Sequence, residues 1–243
     1  RYKARLEYFG KPFVGWQRQK NGFSVQQALE EAIKSFCGQD VITYVAGRTD
    51  AGVHAFGQVC HFEIEKKETT ETIRNAINFH LKPNPITVLN VVEVDQTFHA
   101  RFSAKERHYQ YKIINRITPS AIYSDLSWWV PQSLDIDLMI AASKCLIGKH
   151  DFSTFRAAGC QAKSPIKTLN SITFWREGDK IVMETRAKSF LYHQVRNMAG
   201  TLKLVGEQKW TSEDFSSAFN ARTRARGGIT APPCGLYFMK VDY

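Results

Sequence analysis

Cysteine is scarce in this chain and poorly placed for any shared task. The five, Cys37, Cys60, Cys145, Cys160 and Cys234, are scattered over 243 residues, and no two stand at Cys-x-x-Cys spacing. That spacing excludes a zinc ribbon or a vicinal redox pair. Their number is odd and no signal-peptide pattern is evident, so they read as reduced thiols of a cytoplasmic protein. The first residue is Arg rather than Met, which leaves room for a few preceding residues or a processed leader. No apolar run approaches the roughly 18–20 residues that cross a bilayer, so no membrane-spanning segment is expected. Clustered metal ligands, a glycine-rich nucleotide-binding loop and an internal repeat are also lacking. Neither a cofactor nor a metal is therefore expected, and the length suits one large domain or two ordinary ones.

Acidic residues are in short supply too. Against 33 Lys and Arg stand 23 Asp and Glu, a formal charge of +10. Such an excess argues for a polyanionic partner, nucleic acid or an acidic membrane surface, with a merely basic protein as the alternative. The excess is uneven. Residues 1–104 carry thirteen basic and eleven acidic side chains, and residues 105–243 carry twenty and twelve. Arg222, Arg224 and Arg226 form a short basic run beside two glycines, either a solvated loop or a set of phosphate contacts.

What is present reads as alternating strands and amphipathic helices. Residues 2–8 alternate in the period of a half-buried strand. Ser24 caps a helix that Gly38 ends. Strands are predicted over 41–46, 58–65 and 86–94, with a second helix over 70–81 stopped by Pro83 and Pro85. The order strand, helix, strand, strand, helix, strand fits a split βαβ, ferredoxin-like unit. The second half offers a strand over 107–114, a helix over 134–146, a hairpin around Glu177-Gly178-Asp179, and helices over 190–205 and 211–220. A terminal strand begins near Gly235. The predicted class is α+β, in two ferredoxin-like halves with mainly antiparallel sheets and a basic cleft between them. The boundary is placed near residue 104, giving domains 1–104 and 105–243.

One stretch is denser in functional groups than a chain reversal requires: Gly47-Arg48-Thr49-Asp50-Ala51-Gly52-Val53-His54-Ala55. On residue types alone, Asp50 either satisfies its own backbone ahead of Ala-Gly or serves as a functional carboxylate. A second aromatic and amide-rich loop, Phe13-Val14-Gly15-Trp16-Gln17-Arg18, suits either RNA contacts or a turn pinned by a buried Trp. Tyr109, in the strand Arg107-His108-Tyr109-Gln110-Tyr111, reads as a core aromatic. His61 reads as structural. His150-Asp151 offers acid–base groups, but Phe152 and Phe155 beside them read as loop anchors.

The stretch Arg48-Thr49-Asp50-Ala51-Gly52-Val53-His54 resembles the active-site signature of the TruA family of tRNA pseudouridine synthases. The segments around Tyr109, at 190–200, and at Gly235-Leu236-Tyr237-Phe238 resemble the family's later motifs, in the same order. The Gly15-Trp16-Gln17 loop is similar to another. The resemblance implies that Asp50 is the catalytic nucleophile and that Arg196 pairs with it. It places Tyr109 and Leu236 against the target uracil, and Trp16 and Gln17 on the RNA. Arg48 fills the gap left by the extruded nucleotide. The family's usual Arg before the Tyr is His108 here. The implied substrate is tRNA, at uridines 38, 39 and 40 of the anticodon stem-loop, and the implied assembly is a homodimer. A noncatalytic RNA-binding protein would leave Arg48, Asp50 and Arg196 unused. A glycoside hydrolase needs two flanking carboxylates where this loop has one, and a metal nuclease needs clustered carboxylates.

Overall fold

Ser24 sits in extended backbone and its hydroxyl accepts from Gln27 N, while Gly38 closes the same helix in the left-handed region at φ 76°. These two residues bound α1 (Val25–Cys37), whose buried face is Val25, Ala28, Leu29, Ala32 and Ile33. Thr69 caps α2 (Thr70–Leu81) by accepting from Thr72 N, and the helix stops at the Lys82-Pro83 step, where proline disfavours helical backbone in the residue before it. The computed structural model describes residues 1–243 and contains five α-helices and ten strands, an α+β architecture. The chain divides into two units: Arg1–Arg107 with Tyr237–Tyr243, and His108–Leu236.

In the first unit, β1 (Tyr2–Tyr8) lies between β4 (Ile86–Glu93) and β3 (His54–Phe62), antiparallel to both. The short β2 (Tyr44–Val45) pairs antiparallel with β3 at His61 and Cys60. The spatial order 4-1-3-2 is that of the predicted split βαβ unit. Burial along β1 alternates, with Tyr2, Ala4, Leu6 and Tyr8 inward. Helix α1 packs beside α2, which packs on β4. Two predicted strand bounds shift. Only Tyr44–Val45 of 41–46 is strand, and β3 starts four residues earlier than its own pattern suggested. His54 and Ala55 are recruited by β10 (Leu236–Asp242), which runs parallel to them at Tyr237 and Phe238. That partner lies at the far end of the chain, where no local signal reaches.

The second unit is built on β5 (Glu106–Asn115), with β6 (Trp128–Val130) parallel to its end. Beyond β5 follow β9 (Lys180–Ala187), β8 (Ile166–Glu177) and β7 (Gly148–Asp151). The β8–β9 hairpin turns at Gly178, as predicted. Helix α3 (Ile136–Ser143) is capped by Asp135 and tightens into a 3-10 turn at Lys144–Leu146. It packs against α4 (Gln194–Gly206) and α5 (Ser212–Asn220). Thr211 and Asp214 close a reciprocal capping box on α5. Phe152, Phe155 and Phe215 are fully buried; Phe152 and Phe155 pack on Phe219 and Phe215 stacks on Phe155, so Phe152 and Phe155 anchor their segment.

Helix α4 departs from its prediction in two ways. It begins at Gln194 rather than 190, because His193 takes φ 61° and the Gln194 side chain turns back to accept from Leu191 N. Its polar side is also buried. Asn197 donates to Phe155 O at 2.9 Å and accepts from Thr230 Oγ1 at 2.7 Å, and the Thr201 hydroxyl accepts from Gly228 N at 2.9 Å. These bonds seat the 228–231 segment on the helix. A buried polar side chain fully bonded in this way specifies one docking position.

Candidate active site

In the first unit the Asp50 loop is fixed from both flanks. Gln58, buried in β3, donates to Gly47 O at 2.8 Å. Thr49 is 7% exposed and its hydroxyl lies 2.7 Å from the Tyr8 phenol oxygen. Burial pushes that phenol up to about 12, against the opposing hydrogen bonds from Thr49 and Gln58. It therefore stays protonated at neutral pH. Thr49 O accepts from Trp16 N at 3.0 Å, and Asp50 bridges Gly15 antiparallel. A Cβ on Gly15 would lie 2.6 Å from Thr49 O, and the residue sits at φ 108°, so only glycine allows this approach.

Asp50 itself opens a turn. Val53 N donates to Asp50 O at 3.2 Å, and Gly52 takes φ 77°, as the third position of a type II turn requires. His54 then ends the stretch. Its Nδ1 accepts from Gly10 N at 3.0 Å and its ring packs between Phe9 and Tyr237, with centroids 5.0 and 4.8 Å away. His54 is thus a backbone clamp. The Asp50 carboxylate is left half-buried on a turn whose two ends are held.

Arg107 was not singled out by sequence reasoning. Its buried guanidinium donates twice to Ala46 O, at 3.0 and 2.7 Å, and once to Arg101 O at 2.7 Å. It ties the base of the Asp50 loop to the 98–103 segment. Tyr8 and Gln58 were missed as well. The available signal was Gln58, a lone amide beside Gly57, Val59 and Cys60. Arg48 is exposed. Partial burial first, and the charge of Arg101 second, lower its pKa from the usual guanidinium value.

The Gly-Trp-Gln loop needs a correction. Trp16 is 1% exposed and packs on Tyr8 at 6.1 Å, so its ring pins the loop and has no face to offer a base. Apolar burial of so large a ring outweighs its use as a platform. Arg18 pairs with Glu30 at 3.1 Å. Gln17 alone of the three central residues points outward without these ties.

In the second unit, Tyr109 on β5 is 7% exposed and meets Phe190 edge to face, 5.1 Å between centroids. Two residues on, Tyr111 donates to Pro232 O at 2.7 Å. Burial holds its phenol well above the ordinary value, with the Cys234 thiol acting in the same direction and the Arg196 charge opposing. Arg196 is locked to Ala231 in both directions: its Nε donates to Ala231 O at 2.8 Å, and Ala231 N donates to Arg196 O at 3.2 Å. The 231–236 segment thus joins the Tyr strand, the Arg196 turn of α4 and Leu236, which is 6% exposed. The structure gathers Arg48, Asp50 and the Trp16 loop in one unit, and Tyr109, Arg196 and Leu236 in the other.

The basic run divides. Arg222 and Arg226 are exposed, but Arg224 donates to Thr230 Oγ1 at 3.1 Å and burial lowers its pKa. Arg224 supports the segment seated on α4.

The family model described as tRNA pseudouridine synthase matches residues 4–103 and 142–243. Relatives named tRNA pseudouridine synthase A agree over the whole chain. That of Rhodospirillum centenum is 53% identical over 243 residues, covering 100% of this chain and 99% of the relative. That of Parvibaculum lavamentivorans is 51% identical, with the same coverage. That of Paramagnetospirillum magneticum is 51% identical over 100% of this chain and 95% of its own length.

Proposed function

This chain belongs to the tRNA pseudouridine synthase family, and we propose that it isomerises uridine to pseudouridine in the anticodon stem-loop of tRNA, at positions 38, 39 and 40, with Asp50 as nucleophile. The reaction breaks the C1′–N1 bond of uridine, turns the base, and forms C1′–C5. The proton on C5 is lost and N1 gains one, so the change is an isomerisation with no net redox. The observation that carries the proposal is the holding of the Asp50 turn, by Tyr8 and Trp16 through Thr49 on one side and by His54 on the other. A carboxylate on a pre-positioned turn loses little entropy when it attacks.

The remaining roles are those that the resemblance implies. Arg196 is assigned the role of cationic partner to the Asp50 carboxylate. Tyr109 stacks on the uracil, and its phenol moves a proton at C5. Leu236 excludes water beside the freed base. Arg48 occupies the space the nucleotide leaves in the stem-loop, and base extrusion costs a few kcal/mol that phosphate and stacking contacts offset. We propose a homodimer, with tRNA lying across both subunits. No helix is long and apolar enough to cross a membrane.

Unmodified tRNAs incubated with the protein in the absence of any added cofactor, followed by position-by-position mapping, test the reading. Pseudouridine at 38, 39 or 40 is expected. Formation only at other sites would overturn the positional assignment, and no pseudouridine in any tRNA would overturn the activity. Light scattering showing a monomer at micromolar concentration, with and without tRNA, would refute the dimer.

A further inference from the structure

The 98–103 segment is a rigid hook that the proposed mechanism leaves unused. Its backbone groups are bonded one after another. His99 N donates to Ser103 Oγ at 3.0 Å and Ala100 N to His61 Nδ1 at 3.1 Å. Ala100 O accepts from the Tyr243 hydroxyl at 2.9 Å, and Arg101 N donates to His99 Nδ1 at 3.1 Å. Arg101 O accepts from Arg107 Nη2, the same nitrogen that bonds Ala46 O. The hook is therefore joined through one atom to the base of the Asp50 loop.

Two adjacent side chains on this rigid backbone face solvent. Phe102 is 73% exposed, and the Arg101 guanidinium lies 5.6 Å from its ring centroid. Behind Phe102 the rings continue. His99 is 4.4 Å from Phe102 and 5.6 Å from Tyr44, which is itself 47% exposed and stacked on buried His61 at 5.0 Å and 15°. Arg101 makes no ion pair with a carboxylate, and its charge is close enough to Arg48 to lower that residue's pKa. Two neighbouring cations of like sign, beside exposed aromatic faces on fixed backbone, match one ligand chemistry. Aromatic faces take bases and guanidinium groups take phosphates. An apolar protein partner would find the two like charges a cost.

We propose that Arg101, Phe102 and Tyr44 form a second RNA-contacting site beside the Asp50 loop, one that holds an unpaired nucleotide flanking the target uridine. Phe102 stacks on its base, Tyr44 widens the apolar platform, and Arg101 binds its phosphate. The inference rests on the tRNA-modifying reading above. It differs from that reading in placing substrate contacts on the 98–103 hook.

Binding of unmodified tRNA and steady-state turnover are measured for the wild type, Phe102→Leu, Phe102→Tyr and Arg101→Gln. Both positions are exposed, so thermal melting should barely change. Phe102→Leu should weaken tRNA binding roughly 5- to 100-fold, the range for losing one stacked base, and raise KM far more than it lowers kcat. Phe102→Tyr should restore both. Arg101→Gln should reduce the slope of log affinity against log salt by about 0.7–0.9, one phosphate contact. Wild-type affinity and salt slope in Phe102→Leu and Arg101→Gln, alongside a wild type that makes pseudouridine, would overturn this site alone. A wild type that makes none would instead overturn the parent reading. A changed particle mass in Phe102→Leu with unaltered tRNA affinity per protomer would assign the patch to contact between copies, and would also overturn the proposal.

Discussion

The Asp50 loop and the arginine run at 222–226 look alike as sequence: each is short, flanked by glycine and crowded with polar groups. The structure treats them differently. In the Asp50 loop the side chains around the carboxylate turn inward and hold the loop in place. Thr49 bonds Tyr8, His54 bonds Gly10, and Arg107 reaches in from β5 to Ala46. In the arginine run only Arg224 is enlisted, through Thr230, while Arg222 and Arg226 remain exposed. A group that must react needs its position fixed to a fraction of an ångström. A group that neutralises phosphate works through a screened field and tolerates motion. On the assignment proposed above, the density of bonds that hold a loop separates a reacting loop from a docking loop better than the density of functional groups does.

The largest effect should come from removing the proposed nucleophile of the held loop. Asp50→Asn keeps size and tolerates the same turn, so the melting temperature and tRNA affinity should change little while pseudouridine formation falls to background. Residual turnover above a few per cent in a folded, tRNA-binding variant would show that the held loop does not supply the nucleophile.

Next in size is a change that loosens the loop without touching a functional group. Gly15→Ala places a methyl 2.6 Å from Thr49 O at a backbone angle of φ 108°. Such strain costs on the order of 1–3 kcal/mol, and the displaced Thr49–Asp50 backbone should lower kcat by roughly 10- to 100-fold with tRNA affinity nearly intact. Equal losses in affinity and kcat would mean that the loop docks RNA as much as it reacts, and the contrast between the two regions would fail.

Legibility in the sequence follows the same division. Elements bounded by their own residues were readable: α1 between Ser24 and Gly38, α2 before Pro83, α5 after Thr211, and the alternation of β1. The 4-1-3-2 order of the first unit followed from the element order. What depended on distant chain was not readable. β3 starts early because β10 recruits His54; α4 starts late for a local reason that periodicity does not carry, the return of the Gln194 side chain to Leu191 N. The Asp50 stretch announced itself by composition and resemblance, but its supports did not. Tyr8, Gln58 and Arg107 stand 42 residues before, 8 after and 57 after Asp50, and each looked like an ordinary strand residue. Trp16 shows the converse: its resemblance to an RNA-contacting loop did not reveal that its ring is buried.

A smaller effect should distinguish the arginines from one another. Arg222→Gln with Arg226→Gln should flatten the log affinity–log salt slope by about 1.4–1.8 while melting stays the same, since two exposed cations are lost. Arg224→Gln should instead lower the melting temperature, because it removes a bond that supports the segment seated on α4. The pattern to be measured is a crossing one, slope against stability. If all three act alike on the slope, Arg224 is a phosphate contact and its inward bond carries no weight.

The smallest effect concerns how the held region responds to acid, and His61 reports it. Its ring accepts from Ala100 N through Nδ1 and is packed by Tyr44 and His99. Burial first, then the charges of His99 and Arg1, lower its pKa to about 4, with Glu63 opposing. In the unfolded chain an ordinary histidine takes up its proton near pH 6.5. Above that value neither state is protonated at His61 and its contribution is fully present. As pH falls from about 6.5 to about 4, the unfolded chain gains a proton the folded one refuses, so stability declines across that window and levels below it. The limiting slope for one proton is about 1.4 kcal/mol per pH unit. His61→Asn keeps an acceptor near Ala100 N and removes the titrating ring. Melting followed from pH 4 to 8 should then be flatter below pH 6.5 in the variant than in the wild type. His99, whose pKa is also lowered by burial and by Arg1, remains in both proteins. Parallel melting curves for the two would mean that His61 takes up its proton in the folded state as readily as in the unfolded one, and that the ring holding the hook to β3 is not shielded from acid.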